Sequence, residues 1–285
     1  MKVLVFGRSG QVAGELVRRA PSGIEVTALG RSEVDLARPD AGAEAVRSRA
    51  PYAVINAAAW TAVDAAESEP DAAARLNAEV PEELAAACAR SGIPFVHLST
   101  DYVFDGSGTQ SWRPADPTGP KSVYGRTKLE GERRVRAIHP ESVIVRTSWV
   151  FSALGSNFVR TMLRLGAESD ELGIVSDQIG GPTWAGAIAD ACLRIAQLRF
   201  AGEGEGGVYH FAGGPDASWA DFAESIFEQS GLQVLVKRIP TAIYPTPAAR
   251  PLNSRLDCDD IYRTFGIARP DWRDDLGAVI AELGS

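Results

Sequence analysis

The chain is expected to be an α/β protein organised around a doubly wound parallel sheet, and three observations carry that expectation. Short apolar runs without polar alternation recur through the first half, each is followed by a segment of helical character, and a glycine-bearing turn joins the first run to the first helix. Strands that are apolar on both sides mark a parallel sheet covered by helices on both faces. Right-handed crossovers then wind such a sheet outward from its middle.

Taken in order, Lys2–Phe6 (KVLVF) reads as the first buried strand and residues 11–20 as the helix behind it. Residues 26–29 form a second strand, followed by a helix over 41–49, and Ala53–Asn56 (AVIN) is a third. An alanine-rich helical stretch covers 72–90 and breaks near Pro81, since proline lacks an amide donor. A fourth strand at 95–99, a helix over 122–137 and a fifth strand at Val143–Thr147 complete the alternation. Beyond Trp149 the pattern loosens. Helices near 157–167 and 185–197 alternate with short strands near 173–175 and 208–211, and 202–207 (GEGEGG) is a surface turn. Ser218 followed by Asp221 is arranged as a cap that opens a helix reaching Gln229. Prolines 240, 245, 247 and 251 make 239–252 an irregular but ordered segment.

With 285 residues, 45 % of them hydrophobic, the chain can bury a full core. A net charge of −8 argues against a nucleic-acid partner, which would need a basic face. It still permits local arginine clusters that hold anions. The run 133–136 (RRVR) reads as a solvated helix face. Cys88, Cys192 and Cys258 are far apart and form no CxxC pair, as expected for ordinary thiols in a reducing compartment. His97, His139 and His210 show no metal-ligand spacing, so no metal is expected. Met1 leads straight into a strand and no apolar run approaches membrane-spanning length, so the expectation is a cytoplasmic protein with no membrane partner.

The turn Gly7-Arg8-Ser9-Gly10-Gln11-Val12-Ala13 lies between the first strand and the first helix. It aims backbone N–H groups and the positive end of a helix dipole at one point, the arrangement that holds a pyrophosphate. Gly7 and Gly10 allow the sharp turn and close backbone approach, and Ala13 takes the small-residue position where helix meets strand. This is a dinucleotide site on a sheet of Rossmann type. At the end of the second strand stands Gly30-Arg31 in place of an acidic residue. Arg31, together with Arg8, can pair with a 2′-phosphate, which favours NADPH and leaves NADH open. Asp35 and Leu36 are placed to meet the adenine edge, and Ala57, Ala58 and Ala59 leave room for the adenosine half. The expected division is a dinucleotide-binding region over 1–150 and a smaller, mainly substrate-binding region over 151–285, some segments of which return to the sheet.

Ser99-Thr100-Asp101-Tyr102 ends the fourth strand, and Tyr124-Gly125-Arg126-Thr127-Lys128 opens a helix. Tyrosine and lysine four apart share one helical face. Carbonyl reduction needs a hydride and a proton, and a free tyrosine of pKa about 10 is a reluctant participant near neutrality. A nearby ammonium, assisted by oxidised nicotinamide, favours the phenolate. A shift of ~3 units would correspond to about 4 kcal/mol. Thr100 can hold the substrate carbonyl, and Lys128 can also grip the nicotinamide ribose.

Seven blocks carry a resemblance that spans essentially the whole chain. They are GRSGQV from Gly7, NAAAWTAVDAAESEP from Asn56, STDYVFDG from Ser99, VYGRTKLEGE from Val123, RTSWVF from Arg146, DQIGGPT from Asp177 and YPTPAARPLNSRLD from Tyr244. In this order the sequence resembles the dTDP-4-dehydrorhamnose reductase family of extended short-chain dehydrogenases/reductases. The resemblance implies that Tyr124 is the proton donor, with Lys128 and Thr100 completing the triad. It implies cofactor contacts at Gly10, Gln11, Val12, Asp35, Leu36, Ala59, Thr61, Tyr124 and Lys128. It also implies that Thr100, Asp101 and Trp149, with Tyr102 beside them, meet a dTDP-sugar, and it brings Arg250 and Asn253 into the substrate set. The implied reaction is NADPH-dependent reduction of the C4 ketone of dTDP-4-dehydro-L-rhamnose to dTDP-L-rhamnose. Two alternatives stay open: a reductase for another dTDP-4-keto-deoxysugar, and a non-catalytic NADP-binding regulatory subunit. The chain departs from the family pattern in having Ala13 for the usual glycine and Ala249 for a second arginine. Gly186 stands where some relatives place a third metal-binding carboxylate beside Glu15 and Glu282, which counts against a metal-bridged dimer and leaves a homodimer open.

Overall fold

A computed structural model describes residues 1–284. Five strands, β1 (Lys2–Phe6), β2 (Glu25–Leu29), β3 (Ala53–Asn56), β4 (Phe95–Thr100) and β5 (Val143–Thr147), join the strand Gly207–His210 in one sheet. All pairings within it are parallel, in the order Gly207–His210, β5, β4, β3, β1, β2. The order reverses at β1, with β2 on one side and β3 on the other. The carboxyl ends of β1 and β3 therefore frame the crevice in which sheets of this kind hold ligands.

Alternation along each strand explains why both of its sides are apolar. Val3 and Val5 point to a core shared with the helices Gln11–Arg18 and Ala185–Phe200, through Leu16, Ile188 and Ile195. Leu4 and Phe6 point the other way, to Val46, Leu84 and Val135 of the helices Ala41–Arg49, Val80–Ser91 and Val123–Ile138. Each such side chain contributes about 1.5–3 kcal/mol when fully buried.

A third core lies outside the sheet. The helices Phe158–Glu168, Trp219–Ser230 and Trp272–Leu283 pack around Phe151, Phe222 and Leu276. Beside them Glu171–Val175 pairs in parallel with Leu235–Ile239. Ser218 and Asp221 form the expected reciprocal cap, each side chain bonded to the other's backbone amide. Cys88, Cys192 and Cys258 are buried free thiols. Among the described residues no helix is long and apolar enough to cross a membrane.

Several elements differ from expectation, among them the helices Asp259–Phe265 and Trp272–Leu283, which were not expected. The stretch 72–90 is a helix over Pro70–Ala74, a π-helical turn over Arg75–Glu79 and a second helix over Val80–Ser91. The break thus comes just before Pro81, because the proline has no N–H for the carbonyl four residues back, at Asn77, and its ring crowds that carbonyl. The strand Leu235–Ile239 was not expected, since its two charged residues and exposed Leu235 hide the apolar alternation.

Candidate active site

A cavity of about 840 Å³ opens at the carboxyl ends of the sheet strands. Its wall combines the turn after β1 (Gly7, Ser9, Gly10, Gln11, Val12), the segment after β2 (Arg31, Asp35, Leu36) and the segment after β3 (Ala57, Ala58, Ala59, Thr61). Thr100 at the end of β4 with Asp101 and Tyr102 after it, Tyr124 and Lys128 on the following helix, and Trp149 after β5 close it. The fold therefore gathers the whole expected cofactor set and triad at one place. Arg250 and Asn253 are not part of that wall. Arg250 makes a two-pronged pair with Asp64, at 2.7 and 3.0 Å, and Asn253 donates to the carbonyls of Ser107 and Gln110. Both side chains tie segments together, so the structure lends the expected ligand role of Arg250 and Asn253 no support.

At the nucleotide end the backbone shapes the site. Gly7 has φ +106°, and a Cβ there would lie 2.8 Å from the backbone of Ala57 and Ala58. The turn and the segment after β3 thus meet backbone to backbone, a cradle any side chain would fill. Gly10 caps the helix Gln11–Arg18 without a side-chain hydrogen bond among the described residues, leaving first-turn amides to an anion. These features fit a dinucleotide. Arg31 is 86 % exposed and lies 3.6 Å from Asp35, while Arg8 is paired with Glu33.

At the other end, side chains shape the site and burial governs them. Ser122 caps the helix Val123–Ile138 by accepting from the Gly125 amide, which sets Tyr124 in the first turn. Thr100 Oγ1 accepts from the Tyr102 amide and donates to Asp101 Oδ1 at 3.0 Å. Burial pushes the Tyr124 phenol up to about 12, with the Thr100 hydroxyl pulling it down. Contrary to expectation, Lys128 does not draw the phenol down; burial dominates and holds it protonated, the state a proton donor needs. Burial also pushes Asp101 up to about 6. The Asp101 carboxylate also engages Ser254, whereas the Thr147 hydroxyl is a buried polar atom with no hydrogen-bond partner among the described residues, and both residues line the cavity.

Lys128 sits at the centre of a buried network. Its Nζ donates to the Leu98 carbonyl at 2.7 Å and lies 3.5 Å from His97 Nε2. Asn56 Oδ1 accepts the Ala58 amide, which turns its Nδ2 toward His97 Nδ1 at 3.1 Å. That bond places the single proton of neutral His97 on Nε2, facing Lys128. Burial and Lys128 together hold His97 well below its usual range. Burial lowers Lys128 to about 8, and Glu132, one turn further along the helix, pulls it back up. Glu132 in turn accepts from Arg146 at 2.9 and 2.7 Å and from Ser99 at 2.5 Å.

Two close approaches hold the helix in place. A Cβ on Gly125 would fall 2.2 Å from the Tyr102 carbonyl, so only glycine lets Tyr124 come this near the end of β4. On the other side Asn77, carried by the π-turn, donates to the Thr127 hydroxyl and the Trp60 carbonyl and accepts from the Trp60 amide. Trp149 adopts φ +49° and stacks on Trp219 with centroids 3.6 Å apart and planes 9° from parallel. Asn56, Asn77, His97, Glu132, Thr147 and Trp219 were not among the expected site residues. The signal for Asn56 was a polar residue ending an apolar strand, and for His97 one between apolar neighbours; Glu132 repeats the four-residue spacing of Tyr124 and Lys128. Nothing in the sequence pattern marks Trp219 or Asn77.

The sequence model of the family described as RmlD substrate binding domain matches residues 1–285. The dTDP-4-dehydrorhamnose reductase of Sinorhizobium fredii is 46 % identical over 99 % of this chain and 98 % of its own. That of Burkholderia thailandensis is 45 % identical over 99 % of each. Among solved structures, a dTDP-4-dehydrorhamnose reductase from Clostridium acetobutylicum superposes over 100 % of both chains with a TM-score of 0.94 at 37 % identity. One from Bacillus anthracis, in complex with NADP, superposes over 99 % of both with a TM-score of 0.92 at 31 % identity. On sequence and fold alike, this chain belongs to the dTDP-4-dehydrorhamnose reductase family.

Proposed function

We propose that the protein reduces the C4 ketone of dTDP-4-dehydro-L-rhamnose with NADPH, giving dTDP-L-rhamnose. The observation that carries the reading is the convergence of Thr100, Tyr124 and Lys128 in the same cavity as the dinucleotide turn. The relatives' shared name supplies the substrate, and the NADP held by the Bacillus anthracis structure supports the cofactor.

Bound in the cavity, NADPH supplies the hydride that reduces the ketone carbon. The chain's own residues handle the proton and the orientation. Tyr124, kept protonated by burial, delivers its proton to the carbonyl oxygen, and Thr100, turning its hydroxyl proton away from Asp101, holds that oxygen. The Lys128 ammonium stabilises the phenolate left behind. Trp149, backed by Trp219, offers a flat apolar wall to the deoxysugar. The unpartnered Thr147 hydroxyl is suited to a sugar hydroxyl. In this reading residues 1–150 serve mainly the cofactor and 151–285 mainly the substrate. The net charge of −8 and three buried free thiols support a cytoplasmic enzyme without a nucleic-acid partner.

The test is NADPH consumption with enzymatically prepared dTDP-4-dehydro-L-rhamnose, the product being compared with dTDP-L-rhamnose by chromatography. Rapid turnover to that product is expected. Intact NADPH binding without turnover would overturn the substrate assignment.

A further inference from the structure

The carboxylate of Glu33 occupies an anion site that the chain builds for itself. Its Oε2 accepts from the Gly30 amide and the Ser32 hydroxyl, each at 3.0 Å, and its Oε1 accepts from Arg8 Nη1 at 2.5 Å. The site follows directly on β2, and Arg8, Gly30 and Arg31 belong to the cavity wall. A backbone amide, a hydroxyl and a guanidinium converging on one point form a donor set that suits phosphate oxygens as well as a carboxylate. The same donors hold the Glu33 carboxyl below its ordinary range, so it is charged at neutral pH.

Glu33 is therefore an internal anion standing where the sequence expects a phosphate. Resting on the reading that this cavity takes NADP(H), we propose that Glu33 is a specificity-determining residue that competes with the cofactor's 2′-phosphate for Arg8, Gly30 and Ser32. NADPH must displace the carboxylate, whereas NADH brings a ribose hydroxyl that can donate to it. The Glu33 side chain is 32 % exposed, so it can rotate outward into water. Glu33 thus weighs against the arginines that favour NADPH and keeps NADH usable.

The experiment measures binding, apart from turnover. Calorimetry would compare adenosine 2′,5′-bisphosphate with ADP, and fluorescence titration NADPH with NADH, on wild type, Glu33→Gln and Arg8→Ala. Glutamine keeps an acceptor oxygen for Gly30 and Ser32 but loses the charge and the second acceptor, so Arg8 is released. Removing one like charge beside a phosphate should tighten the bisphosphate and NADPH roughly tenfold, with ADP unchanged and NADH slightly weaker. Arg8→Ala should shift the bisphosphate the opposite way. A bisphosphate-to-ADP affinity ratio in Glu33→Gln equal to that of wild type would overturn the proposal. If wild type bound neither dinucleotide, the cofactor reading would fall first and the proposal with it.

Discussion

The two ends of the cavity are built in opposite ways. At the end of β2 the charges stand in water, with the Arg8 side chain 62 % exposed and Arg31 more so, and the fine shaping is left to glycine backbone. At the end of β4, Asp101, Lys128, Glu132 and Arg146 are all buried. An exposed ion pair is worth about 0–1 kcal/mol, whereas removing one partner of a buried pair costs about 3–5 kcal/mol. The first end can therefore change its selectivity without disturbing the fold. The second end sets proton affinities with the same residues that hold the sheet to its helix, so chemistry and stability change together there.

The sharpest way to break that contrast is at Tyr124. Replacing it with phenylalanine should lower kcat about 10²–10⁴-fold, the span of a lost general acid, while NADPH affinity by fluorescence stays the same. Near-normal turnover would remove Tyr124 from its role. Glu132→Gln leaves Arg146 buried without its carboxylate, and urea unfolding should show a loss of about 3–5 kcal/mol. A loss below ~1 kcal/mol would put this pair with the exposed ones. Gly125→Ala forces the helix away from the Tyr102 carbonyl, and misplacing Tyr124 by about 1 Å should cost about 10²-fold in kcat. Steady-state kinetics with a folded variant would check it, and unchanged kcat would mean the loop yields instead.

The pH profile gives a smaller effect. Lys128 has its pKa lowered to about 8, so its ammonium is lost as pH rises through that value. Turnover should fall on that alkaline side, and a flat profile up to pH ~10, the range of an unperturbed lysine, would show that the charge is not needed. Smallest of all, Arg31→Ala should raise the KM for NADPH roughly threefold, in keeping with an exposed charge, and leave that for NADH nearly unchanged. Equal rises for both would mean that Arg31 does not read the 2′-phosphate.

What could be read in the sequence follows the same contrast. β1, β3, β4 and β5 were legible because burial on both faces leaves largely apolar runs, and the turn at Gly7 because its position at the first strand–helix junction is local. Tyr124 and Lys128 were legible for the same reason, being four residues apart on one helix. The network behind Lys128 joins Asn56, His97, Glu132 and Arg146 from three strands and a helix, and partners so distant in sequence have no spacing to betray them. Arg250 shows the converse. Its block matches a ligand-binding pattern, yet only the folded chain reveals that Asp64 engages the guanidinium. Trp149 was expected to meet the sugar, but the ring stacked behind it comes from a helix 70 positions further on.

The π-turn over Arg75–Glu79 has a consequence for how this chain can vary. Each residue advances an α-helix by about 100°, so deleting one residue between Pro70 and Ser91 would swing one side of the break against the other. Asn77 would then leave Thr127 and Trp60, or Leu84 would leave the sheet. Asp71 and Glu79 are exposed and open to exchange for other polar residues. In this segment identity is negotiable at the surface, whereas length is not, and a lost codon would reach the helix of Tyr124 and Lys128 without touching either residue.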